Sequence, residues 1–91
     1  MAEENEYGIE MLKLNHNSIG ELPFGFFPNS TFRMTKYLDL SHNHLRTLDK
    51  DIFENLTAIE DLILAGNKLM ELSDGIFANN PLEVSRIHYF R

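Results

Sequence analysis

Leu38-Asp39-Leu40-Ser41-His42-Asn43-His44-Leu45-Arg46-Thr47-Leu48 decides the reading of this chain, because its spacing of apolar residues and asparagine occurs again on either side. Upstream stands Leu12-Lys13-Leu14-Asn15-His16-Asn17-Ser18-Ile19-Gly20-Glu21-Leu22, and downstream Leu62-Ile63-Leu64-Ala65-Gly66-Asn67-Lys68-Leu69-Met70-Glu71-Leu72. The three stretches share L-x-L-x-x-N-x-[LI]-x-x-L and begin at residues 12, 38 and 62, so the periods are 26 and 24 residues. Self-similarity at a fixed period of roughly 20 to 50 residues marks a repeat architecture.

Within each copy, Leu12 and Leu14 alternate with Met11, Lys13 and Asn15, as expected of a short half-buried strand with one core face and one wet face. Each strand leads to an Asn, two further apolar positions and, ten residues after the Asn, a Phe: Phe27, Phe53 and Phe77. One copy cannot bury its apolar side alone, so the copies are expected to stack and share a core built of aligned columns. Asn17, Asn43 and Asn67 form a polar column at the sharp turn leaving the strand, where an amide can serve backbone donors and acceptors that would otherwise be buried unpaired. Phe27, Phe53 and Phe77 form a structural column on the return side. The return Pro23-Phe24-Gly25-Phe26-Phe27-Pro28 cannot be regular helix throughout, and the two extra residues of the first period fall between Phe27 and Leu38. A fourth strand is expected near residue 87, with Ile87 and Tyr89 inward in preference to His88 and Phe90. Residues 1–8 read as an acidic tail or imperfect cap, and residues 9–91 as the repeat domain, divided at about 9–34, 35–58, 59–84 and a partial 85–91.

The full pattern L-x-x-L-x-L-x-x-N-x-L-x-x-L-x-x-x-x-F-x-x-L resembles the leucine-rich repeat superfamily in its 24-residue "typical" class. It is similar to ectodomain segments of Toll-like receptors, Slit-type proteins and other cell-surface members. Repeat two carries it as Leu38, Leu40, Asn43, Leu45, Leu48, Phe53 and Leu56, and departs from it where Thr35 replaces the first apolar residue. The resemblance implies an α/β-type repeat solenoid: a short right-handed arc with a parallel concave β-sheet and irregular or 3-10 convex turns, here three full repeats and a partial fourth strand. It implies protein recognition at the cell surface or outside the cell, as part of a longer protein, with a protein ligand or co-receptor as partner. The chain has none of the cysteine-bearing caps of extracellular members. Its first residues, Met1-Ala2-Glu3-Glu4-Asn5-Glu6, do not form a secretory signal, which leaves a cytoplasmic location open.

Fourteen acidic against eight basic residues give a net charge of -6. That field repels nucleic acid and anionic membranes and would steer basic partners. No run is long enough to span a bilayer. Without cysteine there are no disulfides or thiolate metal sites, and the redox compartment is left undecided.

The candidate partner surface is therefore the strand face left free by the repeat, with Met11, Lys13, Tyr37, Asp39, Asp61 and Ile63 as its residues. The mixed aromatic, aliphatic and acidic patch around Tyr37 and Ile63 is of the kind found at interface centres. Lys13 and Asp39 are expected to pair across adjoining strands as surface charges. His16, His42 and His44 lie close together but without a fixed acidic ligand, so no metal and no cofactor is assigned. Asn29-Ser30-Thr31 and Asn55-Leu56-Thr57 satisfy the N-glycosylation acceptor rule on the return side, making Asn29 and Asn55 candidate sites. No nucleophile elbow, H-E-x-x-H or Gly-rich phosphate loop is present, so the chain is not expected to be an enzyme. The alternative to partner recognition is a structural solenoid fragment that self-associates or stacks end to end through uncapped edges.

Overall fold

A computed structural model describes residues 8–80 and the backbone of Ile87–His88. Strands β1 (Met11–Lys13), β2 (Tyr37–Asp39), β3 (Asp61–Ile63) and β4 (Ile87–His88) form one parallel sheet in chain order, and α1 (Asn29–Phe32) lies in the first return. Chain order follows from the repeat: each return carries the backbone back to lay the next strand beside the last. The register aligns Leu12 with Leu38, Leu38 with Leu62, and Leu62 with Ile87. Ile87 thus occupies the backbone position of the inward leucines, while Tyr89 and Phe90 lie outside the described residues.

Hydrogen bonding recurs with the same period. The Glu10 carbonyl accepts from both Lys36 N (2.8 Å) and Tyr37 N (3.2 Å), and the Lys36 carbonyl accepts from both Glu60 N (2.8 Å) and Asp61 N (3.0 Å). Past the strands the ladder continues as Leu14 N to Asp39 O, His16 N to Ser41 O, Leu40 N to Ile63 O and His42 N to Ala65 O, at 2.8 to 3.0 Å. Four very short strands are in this way extended into a longer run of parallel backbone pairing.

The core follows the leucine columns. Leu38, Leu40, Leu45, Leu56, Leu62, Leu64 and Leu69 are fully buried, whereas Leu12, Leu14 and Ile19 of the first copy and Leu72 and Phe77 of the third are only half-buried. A fully buried side chain of this size stabilises by about 1.5 to 3 kcal/mol, so among the described residues the middle copy contributes most. Thr35, the departure from the apolar pattern, is fully buried, and its hydroxyl donates to the Ile9 carbonyl. A satisfied hydroxyl can occupy a core position because the cost of burying it is offset by its bond.

On the return side the rings of Phe27 and Phe53 lie 6.1 Å apart, and those of Phe53 and Phe77 stack at 6.0 Å. The returns are mostly irregular, built of i to i+3 bonds such as Leu56 N to Phe53 O and Asn80 N to Phe77 O. The first return departs from this. Its extra residues wind into the single helical turn α1, in which Phe32 N and Arg33 N bond four residues back to Pro28 O and Asn29 O. That turn places the buried Phe32 ring edge-on to Phe27 at 5.2 Å, so the insertion serves the aromatic column.

Candidate functional site: the open strand face

Alternation along each strand turns Met11 and Lys13, Tyr37 and Asp39, and Asp61 and Ile63 to the face opposite the leucine core. Register brings them together in rows: Met11 beside Tyr37 beside Asp61, and Lys13 beside Asp39 beside Ile63. Adjacent strands lie about 4.8 Å apart, so Tyr37 has Asp61 as its direct neighbour and Ile63 on the diagonal. Met11 is 57% exposed and Lys13 is also exposed; Tyr37, Asp39, Asp61 and Ile63 are half-buried. The face presents apolar and aromatic surface at its centre with carboxylates around it.

One feature of this face differs from the sequence reading. Lys13 stands opposite Asp39, yet among the described residues no ion pair joins them. The Asp39 carboxylate instead accepts from Ser41 N (2.9 Å) and from the Ser41 hydroxyl (2.6 Å). This short-range bond within one chain segment wins because an exposed ion pair must also order two side chains for little gain. Ser41 itself is buried and so belongs to the strand exit and not to the presented surface.

At that exit stands the asparagine column. Asn43 Oδ1 accepts from Asn17 N and Ile19 N, both at 3.1 Å, while Asn43 Nδ2 donates to the carbonyls of Leu14, Leu40 and Ser41. Asn67 repeats the pattern one copy later, accepting from Leu45 N at 3.0 Å and donating to Leu40 O and Leu64 O. Asn17 is exposed and donates to Leu14 O and Asn15 O within its own copy. Each buried Asn thus ties its own strand exit to that of the copy before it, which holds the strand face in register.

His16 and His42, the residues just before these asparagines, adopt left-handed backbone conformations, and so does Gly66 in the equivalent position. Their imidazoles stack at 4.5 Å with planes 10° apart. Stacked rings point their nitrogens along parallel planes and do not converge them on one ion. The His42 ring lies over Gly66, where a Cβ would fall 2.5 Å from His42 Nδ1; the left-handed backbone is shared with the two histidines, and it is the close approach of the ring that the missing side chain permits.

A second asparagine array, on the return side, has no counterpart in the sequence motif. Asn55 Nδ2 donates to Phe27 O at 3.1 Å, and Asn80 Nδ2 donates to Phe53 O at 2.9 Å and Leu56 O at 2.8 Å. Asn55 lies two residues after its Phe and Asn80 three after its own, so no fixed spacing could have revealed the pair. Asn29, the other acceptor-motif asparagine, is exposed at the start of α1. Large exposed apolar residues lie away from the strand face as well: Phe24 and Phe26 in the first return and Met70 after the third asparagine.

The arrangement offers a surface of mixed apolar and charged side chains. Among the described residues no cluster of three metal-ligating side chains occurs, and no helix is long and apolar enough to cross a membrane. Comparison with known proteins gives the lineage. The chain is 35% identical to Tsukushi of Gallus gallus over 77 residues, 80% of this chain and 20% of that protein. It is 33% identical to Keratocan of Gallus gallus over 93 residues, covering 91% of this chain and 26% of that protein. With Leucine-rich repeat-containing G-protein coupled receptor 5 of Xenopus tropicalis it shares 41% identity over 51 residues, 56% of this chain and 6% of the receptor. The chain therefore spans only a part of each of these relatives. No solved structure matches it. The leucine rich repeat family profile matches residues 7–69 and again 33–82, and with the columns described above this establishes that the chain belongs to the leucine-rich repeat family.

Proposed function

We propose that the chain is a non-catalytic protein-recognition segment of cell-surface or secreted type, binding a protein ligand or co-receptor through its open strand face. The observation that carries this reading is the row arrangement of Met11, Tyr37 and Asp61 beside Lys13, Asp39 and Ile63: none of these residues belongs to the leucine columns, yet together they make one mixed apolar and acidic surface. Aromatic and aliphatic centres with polar rims are favoured at interfaces. The net charge of -6 favours a basic partner. The face is concave in this reading, and the three copies and a fourth strand form a right-handed arc, in keeping with the right-handed crossovers of nearly all parallel strand connections. The kinship with Tsukushi, Keratocan and a leucine-rich repeat receptor supports a location outside the cell or at its surface.

A photoreactive phenylalanine analogue placed at Tyr37, and in a second sample at Phe24 on the return side, tests the reading in medium and membrane extracts of secretory tissue. A defined protein is expected to cross-link from position 37 only, and the double substitution Tyr37→Ala, Ile63→Ser should abolish its capture. Retention of the same protein by the double variant would remove the strand face from the proposal.

A further inference from the structure

The two acceptor motifs on the return side are alike in sequence and unlike in structure. Asn55 is half-buried, and its amide nitrogen, the atom a glycan would occupy, lies 3.1 Å from the Phe27 carbonyl oxygen and donates to it. Asn80 holds the equivalent bond to Phe53 O one copy later, so the contact is a repeated tie between returns and not a chance approach. A saccharide on Asn55 Nδ2 would have to fit between two stacked copies beside the Phe27 and Phe53 rings. Asn29 differs in every respect. It and Ser30 are exposed, its backbone carbonyl serves Arg33 N, and its side chain makes no hydrogen bond among the described residues. It stands on α1, at the return side of the sheet and away from the face carrying Tyr37 and Ile63.

We propose that Asn29 is an N-glycan attachment site and that Asn55, despite an intact motif, is not one because its amide is a structural donor. The chemistry takes a lipid-linked diphospho-oligosaccharide as the glycosyl donor, supplied by the secretory pathway. A bond forms between Asn29 Nδ2 and the anomeric carbon, the carbon–oxygen bond to the diphosphate breaks, the lipid diphosphate leaves with the electron pair, and the nitrogen gives up one proton to base. Thr31 supplies the motif hydroxyl. The glycan would shield the first return, where Phe24 and Phe26 are exposed, and leave the strand face free.

The inference rests on the secreted or cell-surface reading, and the test is separated from it by supplying secretion. The chain, placed behind a cleavable secretion signal, is expressed in a mammalian secretory cell line. Enzymatic release of N-glycans converts each occupied Asn to Asp, which peptide mass spectrometry reads at both positions of the unsubstituted chain. Conversion is expected at Asn29 and not at Asn55; the gel shift should vanish in Thr31→Ala and persist in Thr57→Ala, which breaks the second motif while keeping the Asn55 amide. Occupancy at Asn55 in the secreted chain, or no occupancy at Asn29, would overturn the proposal. Neither result depends on whether the strand face binds a partner.

Discussion

A single asparagine shows how much one side chain holds here. Asn43 accepts from two backbone N–H groups of the first copy and donates to carbonyls of two copies. Leucine at this position would fill similar space and satisfy none of them. Each buried backbone group left without a partner costs about 1 to 3 kcal/mol, so Asn43→Leu should lose about 3 to 5 kcal/mol, a large part of the roughly 5 to 15 kcal/mol that stabilises an ordinary domain. Asn17 occupies the same column but is exposed and bonds only within its own copy; Asn17→Leu should cost far less. Thermal unfolding followed by circular dichroism distinguishes the two, and equal melting temperatures would show that the column does not act through inter-copy bonds. Asn43 was legible in the sequence because it recurs 24 to 26 residues from its counterparts and because an amide offers two donor hydrogens and an acceptor oxygen together. Asn55 was not legible as a structural residue: its partner, Phe27 O, is 28 positions away, its offset from Phe53 differs from that of Asn80 from Phe77, and a surface motif offered a different explanation for its identity.

At the scale of the element, the strand and the return carry different kinds of information. Strand positions are fixed by alternation and register, and the sequence assigned the rows of the open face from period alone; what it missed was the use of Asp39, since competition between Lys13 and Ser41 for one carboxylate is decided by distances that spacing does not contain. The returns vary in length, and the aromatic column is what keeps them aligned. Phe53 lies between two Phe neighbours and is buried, while Phe77 stacks on one among the described residues and is half-buried. Removing a buried phenylalanine typically costs about 3 to 5 kcal/mol, and Phe53→Ala should fall in that range, with Phe77→Ala costing half of it or less. Urea titration of both variants measures the difference. If Phe77→Ala proved the more damaging, the returns would be held by contacts other than ring packing.

For the whole molecule, recognition of a different protein and stacking with further copies of this chain make opposite demands. A parallel sheet in chain order has β1 at one edge and β4 at the other, and these edges are not the same surface. Pairing one copy's β4 edge with the next copy's β1 edge would be head-to-tail, an arrangement that does not close on itself and grows into filaments unless its rotation happens to form a ring. Against this stands the charge. Each copy adds -6, and like charges repel along a growing stack, less so as salt shortens the screening length from about 30 Å at 0.01 M to about 3 Å at 1 M. A recognition segment should therefore sediment as one species of 10.6 kDa, with no dependence on protein concentration at low or physiological salt. A stacking element should show a mass that climbs with concentration and climbs more steeply as salt is added. Sedimentation velocity across that salt range decides between them, and a steadily rising mass at physiological salt would transfer the role of the strand edges from fold boundary to assembly surface.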